Sequence, residues 1–272
     1  MGSEGLEIAL LFFLLPLLFW DGFADASNTP KWIVLSALLP LILLFRDIPW
    51  TKCHRLGAIF LGWCSLTALW AVSGYEAVHQ LWLFGVLGLC FVLGSTLESP
   101  RGCLIGFAWG VSVNALILIF QDAGASVWWG YPGTLRYIVQ AVEPAGLLMN
   151  KNFVAEASLL AAVGCIWARH WYPLPLLAIG IYLPQSKGVW VAAGLVAVYW
   201  VWQRSRLGAT VLLCLIIGAA AASFPTGGKT TFGGRLALYA NSIEAIKEMP
   251  FGHGIGSFWS AYPDYHEAVI PT

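Results

Sequence analysis

Residues 81–120 read LWLFGVLGLCFVLGSTLESPRGCLIGFAWGVSVNALILIF. Two apolar runs, Leu81–Leu97 and Cys103–Phe120, flank a short polar break that holds Glu98, Pro100 and Arg101. A helix rises about 1.5 Å per residue, so roughly 20 apolar residues cross the hydrocarbon core of a bilayer. Each run is close to that length and carries no charge. The pair predicts a helical hairpin in lipid, with Arg101 marking the turn.

The same pattern repeats outward from this pair. Apolar runs lie at about Leu6–Trp20, Trp32–Phe45, Leu56–Val72, Phe153–Ala168, Leu174–Leu183, Val189–Trp202 and Leu207–Ala222. With the central pair this makes about nine membrane helices, of which Leu174–Leu183 is too short to span without its flanks. Pro16 and Pro40 fall inside helices, which membrane bundles tolerate. Composition agrees: 59% of the 272 residues are hydrophobic and 10% are charged, where soluble domains carry about 25% charged residues. Fifteen Trp residues suit the two bilayer interfaces. Fourteen basic and fourteen acidic residues cancel, so no bulk charge points to nucleic acid. The expected fold is an all-α polytopic bundle over residues 1–222, with an outer loop at about 121–152 and the start of a large outer segment at 223–272.

The N-terminal run is followed by Ala24-Asp25-Ala26, which looks like a signal-peptidase site. Its leading residues carry Glu4 and Glu7 and no base, the reverse of a signal peptide, so it reads as the first membrane helix. Orientation follows from bases in short loops. With the N-terminus inside, cytoplasmic loops hold Arg46, Lys52, Arg55, Arg101, Arg169, Arg204 and Arg206, while the short outer loops hold only Lys31 and Lys187. This sets the two long segments on the outer side of the membrane.

Those segments concentrate the remaining polar chemistry, including Asn150, Lys151, Asn152, Lys229, Arg235, His253 and His266. In the second, Leu236, Tyr239, Ala240, Ile243 and Ile246 repeat at helical spacing, with Gly233-Gly234 before them and Pro250 after. This predicts an amphipathic helix on the outer membrane face or capping the bundle.

Gly227-Gly228-Lys229-Thr230 imitates part of a P-loop. The glycine that motif needs six residues before the lysine is Ser223, and no strand precedes it, so nucleotide binding is not expected. The six cysteines form no metal spacing. HExxH, CxxC and acidic clusters are absent from the sequence, so it gives no ground for a metal or a cofactor. Gly106 and Gly110 form a GxxxG, a packing signal, and Asn114 suits an interhelical hydrogen bond.

Three features suit an anionic ligand, and a fourth, Glu156, is a candidate by its place in a membrane helix. Gly233-Gly234-Arg235 offers a close-approach backbone beside a guanidinium fork, at what the pattern makes the start of a helix. Lys187, in Ser186-Lys187-Gly188, sets a cation at the outer interface. Lys151 and Asn152 lie at the head of the sixth run, and Glu156 lies about a turn inside it. An ionisable group within a membrane helix is a functional candidate. The plain alternatives are a solvated Arg235, a Lys187 that snorkels to headgroups, and a Glu156 paired with Lys151.

Three of these stretches, in order, resemble the O-antigen ligase and O-antigen polymerase family. Gly146-Leu-Leu-Met-Asn-Lys-Asn152-Phe-Val-Ala-Glu is similar to that family's G-x-x-x-x-x-N-x-x-A. Ser186-Lys187-Gly188 is similar to its S-R-G-x-x-x-A. Gly234-Arg235 followed by Pro250-Phe-Gly252-His-Gly254-Ile-Gly256-Ser-Phe258 is similar to its G-R-x-x-x-W…P-x-x-G-x-G-x-x-x-F. The resemblance runs from about Gly146 to Tyr265. It implies a bacterial inner-membrane protein with its long segments in the periplasm, which transfers a glycan from an undecaprenyl-pyrophosphate carrier to a sugar acceptor such as lipid A-core at the periplasmic face, without nucleotide or metal. Carried over position by position, it makes Arg235 a pyrophosphate binder with a catalytic role, and Lys187, Gly234, Asn152, Lys151 and Glu156 substrate contacts. Lys187 stands where the family has Arg, which keeps the charge and loses the two-point grip. The family's His-Asn pair lies beyond the matched stretch. This implies a C-terminal truncation, with His266 the nearest spare base. Polymerase activity and a non-catalytic chain that binds carrier lipid or a partner stay open beside ligase activity.

Overall fold

In the computed structural model, residues 3–19, 28–123, 146–148, 150–223 and 231–258 are described. They form ten α-helices and no strand: α1 Ser3–Leu14, α2 Asn28–Leu43, α3 Lys52–Thr67, α4 Gly74–Thr96, α5 Arg101–Asp122, α6 Lys151–Ala168, α7 Leu174–Tyr182, α8 Lys187–Trp202, α9 Arg206–Ser223 and α10 Thr231–Glu248. Three single 3-10 turns, Leu15–Leu17, Ala68–Trp70 and Gly146–Leu148, join them.

A helix stands at each of the nine apolar runs. Three of them, α4, α5 and α6, are long and apolar enough to cross a membrane. Others are cut short for local reasons. Pro16 has no N–H and its ring crowds the preceding turn, so α1 gives way to a 3-10 turn there and Pro16 does not lie inside an α-helix. α3 passes into a 3-10 turn at Ala68. α7 has nine residues, a length of about 14 Å, or half the hydrocarbon thickness.

The chain divides into two compact units, residues 1–34 with 98–223 and residues 35–97 with 224–272. In the first unit, α1 lies along α5, and α5 packs on α6 and α7. The buried cluster is Ala108, Val111, Ala161, Cys165 and Leu177, with Phe107, Ala157, Ala162 and Leu174 around it. Small side chains dominate because lipid offers no hydrophobic drive between helices, so close backbone approach must supply the attraction. Gly106 and Gly110 show this directly: a Cβ at either would strike the backbone of α1, at Ala9 and Phe13. Gly180 of α7 likewise sits against Ser158 of α6.

The second unit is built on the α3–α4 hairpin. Phe60 and Phe84 meet edge to face at 5.7 Å. Trp82 donates its Nε1–H to Ser36 Oγ on α2 (2.8 Å). One end of the hairpin is riveted by His54, which is buried. The Thr51 backbone N–H reaches His54 Nδ1 at 3.1 Å. Nδ1 must therefore accept, the ring proton sits on Nε2, and it donates to Ser95 Oγ at 2.8 Å. Ser95 passes a hydrogen bond on to the Val92 carbonyl.

Other apolar side chains of α3 point away from protein. Leu56, Ile59 and Leu66 are exposed, the outward-facing pattern that suits a lipid solvent.

The α1–α5 contact gives a direct check. Gly110→Leu should force the two helices apart and destabilise the first unit by about 1–3 kcal/mol, the usual cost of overpacking. Denaturant unfolding in detergent micelles measures it, and an unchanged midpoint would refute the close-approach account of the GxxxG.

Candidate functional site

The start of α6 is the most heavily braced part of the first unit. Gly146 is buried at φ +57°, and a Cβ there would meet the Asn114 amide. Only glycine combines that backbone angle with that space. The Gly146 N–H donates to Gln121 Oε1 at 2.8 Å, and the Leu147 N–H donates to Asn114 Oδ1 at 2.7 Å. Asn114 is fully buried. It fastens the 146–148 turn to α5 and does not link two helices, as its place in an apolar run suggested. Asn150 then caps α6, its Oδ1 accepting from the Asn152 N–H at 2.9 Å.

This bracing puts Lys151 first in α6 and Asn152 second, both half-buried. Glu156 is exposed on the outer side of the helix, while Val154, Ala155 and Ser158 take the inner side. Lys187 stands likewise at the first position of α8 and is exposed. Its turn is built from buried Pro184, Gln185 at φ +53° and buried Ser186. The Tyr182 and Trp190 rings meet across that turn at 5.9 Å.

The other half of the expected site belongs to the second unit. α10 begins at Thr231, so Gly233 and Gly234 lie inside its first turns and do not precede it. The free N–H groups at its head belong to Thr231, Phe232 and Gly233. The Gly234 and Arg235 amides are placed to bond within the helix. Along α10, Tyr239, Ile243 and Ile246 are exposed while Asn241 is buried. Those three apolar side chains thus face away from the chain. Lys247 and Glu244 pair at 2.7 Å on the exposed side.

After α10 the chain folds through Gly252, Gly254 and Gly256 at φ +79°, +91° and +75°. Trp70 donates its Nε1–H to the Gly252 carbonyl at 3.1 Å. The Val72 N–H donates to Ser257 Oγ at 2.9 Å. The sequence pattern offered no sign that this loop and the α3–α4 turn meet, nor that His54 would be buried with both ring nitrogens bonded. Partners this far apart leave no periodic trace.

His266 lies outside the described residues, as do the loop residues 124–145. The structure therefore brings Lys151, Asn152 and Glu156 together at the head of α6, sets Lys187 at the head of α8 in the same unit, and carries Gly234 and Arg235 on α10 in the other. Comparisons with protein-family models, with curated proteins and with solved structures find no match to this chain.

The braced turn can be tested without any ligand. Asn114→Ala removes the acceptor for a buried N–H, a loss of about 1–3 kcal/mol. Hydrogen exchange at Leu147 and Asn152 should accelerate about tenfold or more, with the middle of α6 unaffected. Unchanged exchange would show that Asn114 does not hold the turn.

Proposed function

We propose that this chain binds the pyrophosphate of an undecaprenyl-linked glycan at the outer membrane interface and serves its transfer to a sugar acceptor, as an O-antigen ligase does. One observation carries the reading: α8 begins on a lysine, Lys187, which is exposed. A helix start already bears about half a positive charge from its unbonded N–H groups. A cation there is unfavourable by roughly 0.3–1 kcal/mol unless an anion offsets it. The first turn of α8 contains no acidic residue. A phosphate would relieve that helix start and gain hydrogen bonds from it.

A motif glycine adds support. Gly146 takes a backbone angle that other residues resist, so this glycine of the ligase pattern is one the fold requires. The outward apolar stripe of α10 would hold Arg235 near the headgroups.

In the proposed reaction the acceptor hydroxyl oxygen attacks the anomeric carbon of the donor sugar. The bond from that carbon to the pyrophosphate oxygen breaks, and the carrier lipid leaves as its pyrophosphate. The hydroxyl proton passes to a base, for which His266 is the candidate. Charge grows on the pyrophosphate as the bond lengthens, so fixed cations at Lys151, Lys187 and Arg235 stabilise the transition state more than the ground state. Lys187 acts as a point charge without a bidentate grip.

Transfer is tested in membranes supplied with undecaprenyl-pyrophosphate glycan and lipid A-core. Lys187→Ala and Arg235→Ala should each lower transfer by about 10²-fold, the scale of losing one charge-stabilising donor, at unchanged protein content. Lys187→Arg should retain transfer. Normal glycan ladders from both alanine variants would sink the site. Carrier binding with no transfer by the wild-type chain would replace catalysis with the carrier-binding reading.

Sidedness is a separate test. The contact between the Gly252–Ser257 loop and the α3–α4 turn needs both on one face, so the helices between them must cross an even number of times. In that count the nine-residue α7 stands as a crossing. In a cysteine-free background, Tyr75→Cys and Phe251→Cys should both label with an impermeant maleimide from the periplasmic side. Labelling from opposite sides would overturn the topology.

A further inference from the structure

The loop after α10 combines three left-handed glycines with two close approaches, all within the second unit. A Cβ at Gly254 would fall against the Ala71 backbone and the Thr67 carbonyl, and one at Gly256 against the Glu76 carbonyl. Each therefore needs glycine twice over, once for its angle and once for its space. The seat has polar fasteners at both ends. Trp70 Nε1–H grips the Gly252 carbonyl. Ser257, which is fully buried, accepts the Val72 N–H. The loop is also internally tied, with the Gly252 N–H on the Met249 carbonyl and the Ser257 N–H on the Gly254 carbonyl.

The N–H of Val72 is part of why such a seat exists. The 3-10 turn Ala68–Trp70 ends with an extended Ala71, so the backbone leaves helical bonding before α4 starts at Gly74. A backbone N–H in that gap has no helical partner, and Ser257 supplies one. Loop and turn thus complete each other's hydrogen bonding.

We propose that Gly252–Ser257 is a latch that seats the outer segment on the α3–α4 turn, and that Gly254, Gly256, Ser257 and Trp70 are positioning residues for the amphipathic helix carrying Arg235. The latch begins four residues after Glu248, the last residue of α10. With the loop seated, α10 can only pivot about its C-terminal end while its apolar stripe rests on lipid. With the loop released, α10 keeps its membrane affinity and loses its tether to the α3–α4 turn. His253 is held in the same seat, between the gripped Gly252 carbonyl and the packed Gly254. As a contribution to glycan transfer the latch rests on the function proposed above; as a contact it stands apart from it.

The test uses the full chain in lipid nanodiscs. Gly254→Ala is the main variant. Ser257→Ala and Trp70→Phe each remove one fastener, and Ser257→Thr keeps the hydroxyl. Hydrogen exchange is read at Val72 and across residues 249–258. We expect exchange in both segments to accelerate about tenfold or more in Gly254→Ala and Ser257→Ala, with the α4 amides unchanged and Ser257→Thr close to wild type. Unchanged exchange at Val72 in both variants would overturn the latch.

The positioning role is read separately as transfer kinetics. Opening the latch should lower kcat with KM for the carrier glycan held within about twofold, because the charge that Arg235 would stabilise develops on the leaving group only as the bond breaks. An opened latch with wild-type kcat would overturn positioning. A wild-type chain without transfer would overturn the proposed function and leave the exchange result standing for the latch.

Discussion

Inside a hydrocarbon layer an N–H or a carbonyl oxygen has no water to bond to, and each one left unpaired costs several kcal/mol. A helix meets that constraint for its own interior and for nothing else. Its ends, and every turn between two helices, must find partners elsewhere. The well-ordered turns of this chain show where those partners come from. Gln121 and Asn114 reach across from α5 to take the Gly146 and Leu147 N–H groups. Asn150 takes the N–H of Asn152. His54 takes the Thr51 N–H, and Ser257 takes that of Val72. In these turns the polar side chains of an apolar sequence are spent on the backbone.

The same constraint explains the glycines. A turn tied this closely to a neighbouring helix leaves no room for a Cβ, and the angles that bring its N–H groups round are often left-handed. Gly146 and Gly254 meet both conditions. Gly106 and Gly110 meet only the first, since they lie within a helix and admit the α1 backbone. Glycine at these sites is a statement about distance to another segment, which a local reading of the chain cannot supply.

This marks the limit of what was legible. The apolar runs located each helix because helix formation in lipid is a local decision, made by composition over some twenty residues. Their lengths were less legible, since Pro16 and the 3-10 turn at Ala68 shorten helices that hydropathy alone extends. For α10 the spacing of Tyr239, Ile243 and Ile246 revealed a stripe but not its direction; the burial of Asn241 decides that the stripe faces out. Its first turn was misplaced because Gly233-Gly234 looks like a break, although two glycines near a helix start cost little when few bonds depend on them. Lys151 and Lys187 stand out in the sequence because charge in an apolar chain is conspicuous; that each begins a helix is what the structure adds. The Trp70–Gly252 and Val72–Ser257 pairs do not stand out, because partners about 180 residues apart share no pattern.

The distribution of cations at helix starts bears on function more than any single residue does. Five helices open on a base: Lys52 on α3, Arg101 on α5, Lys151 on α6, Lys187 on α8 and Arg206 on α9. All five oppose the helix dipole. For Lys52, Arg101 and Arg206 the expected cytoplasmic location offers a reason, since bases on that side hold a membrane helix in its orientation. Lys151 and Lys187 fall on the opposite side in the same scheme, where orientation would favour their absence. Lys187 is exposed, and the first turn of α8 holds no acidic residue. A local rule broken in this way is where function is to be sought. Under the proposed function, a pyrophosphate at the start of α8 would turn a penalty into a binding term, and it would do so at the interface a lipid-borne anion must reach.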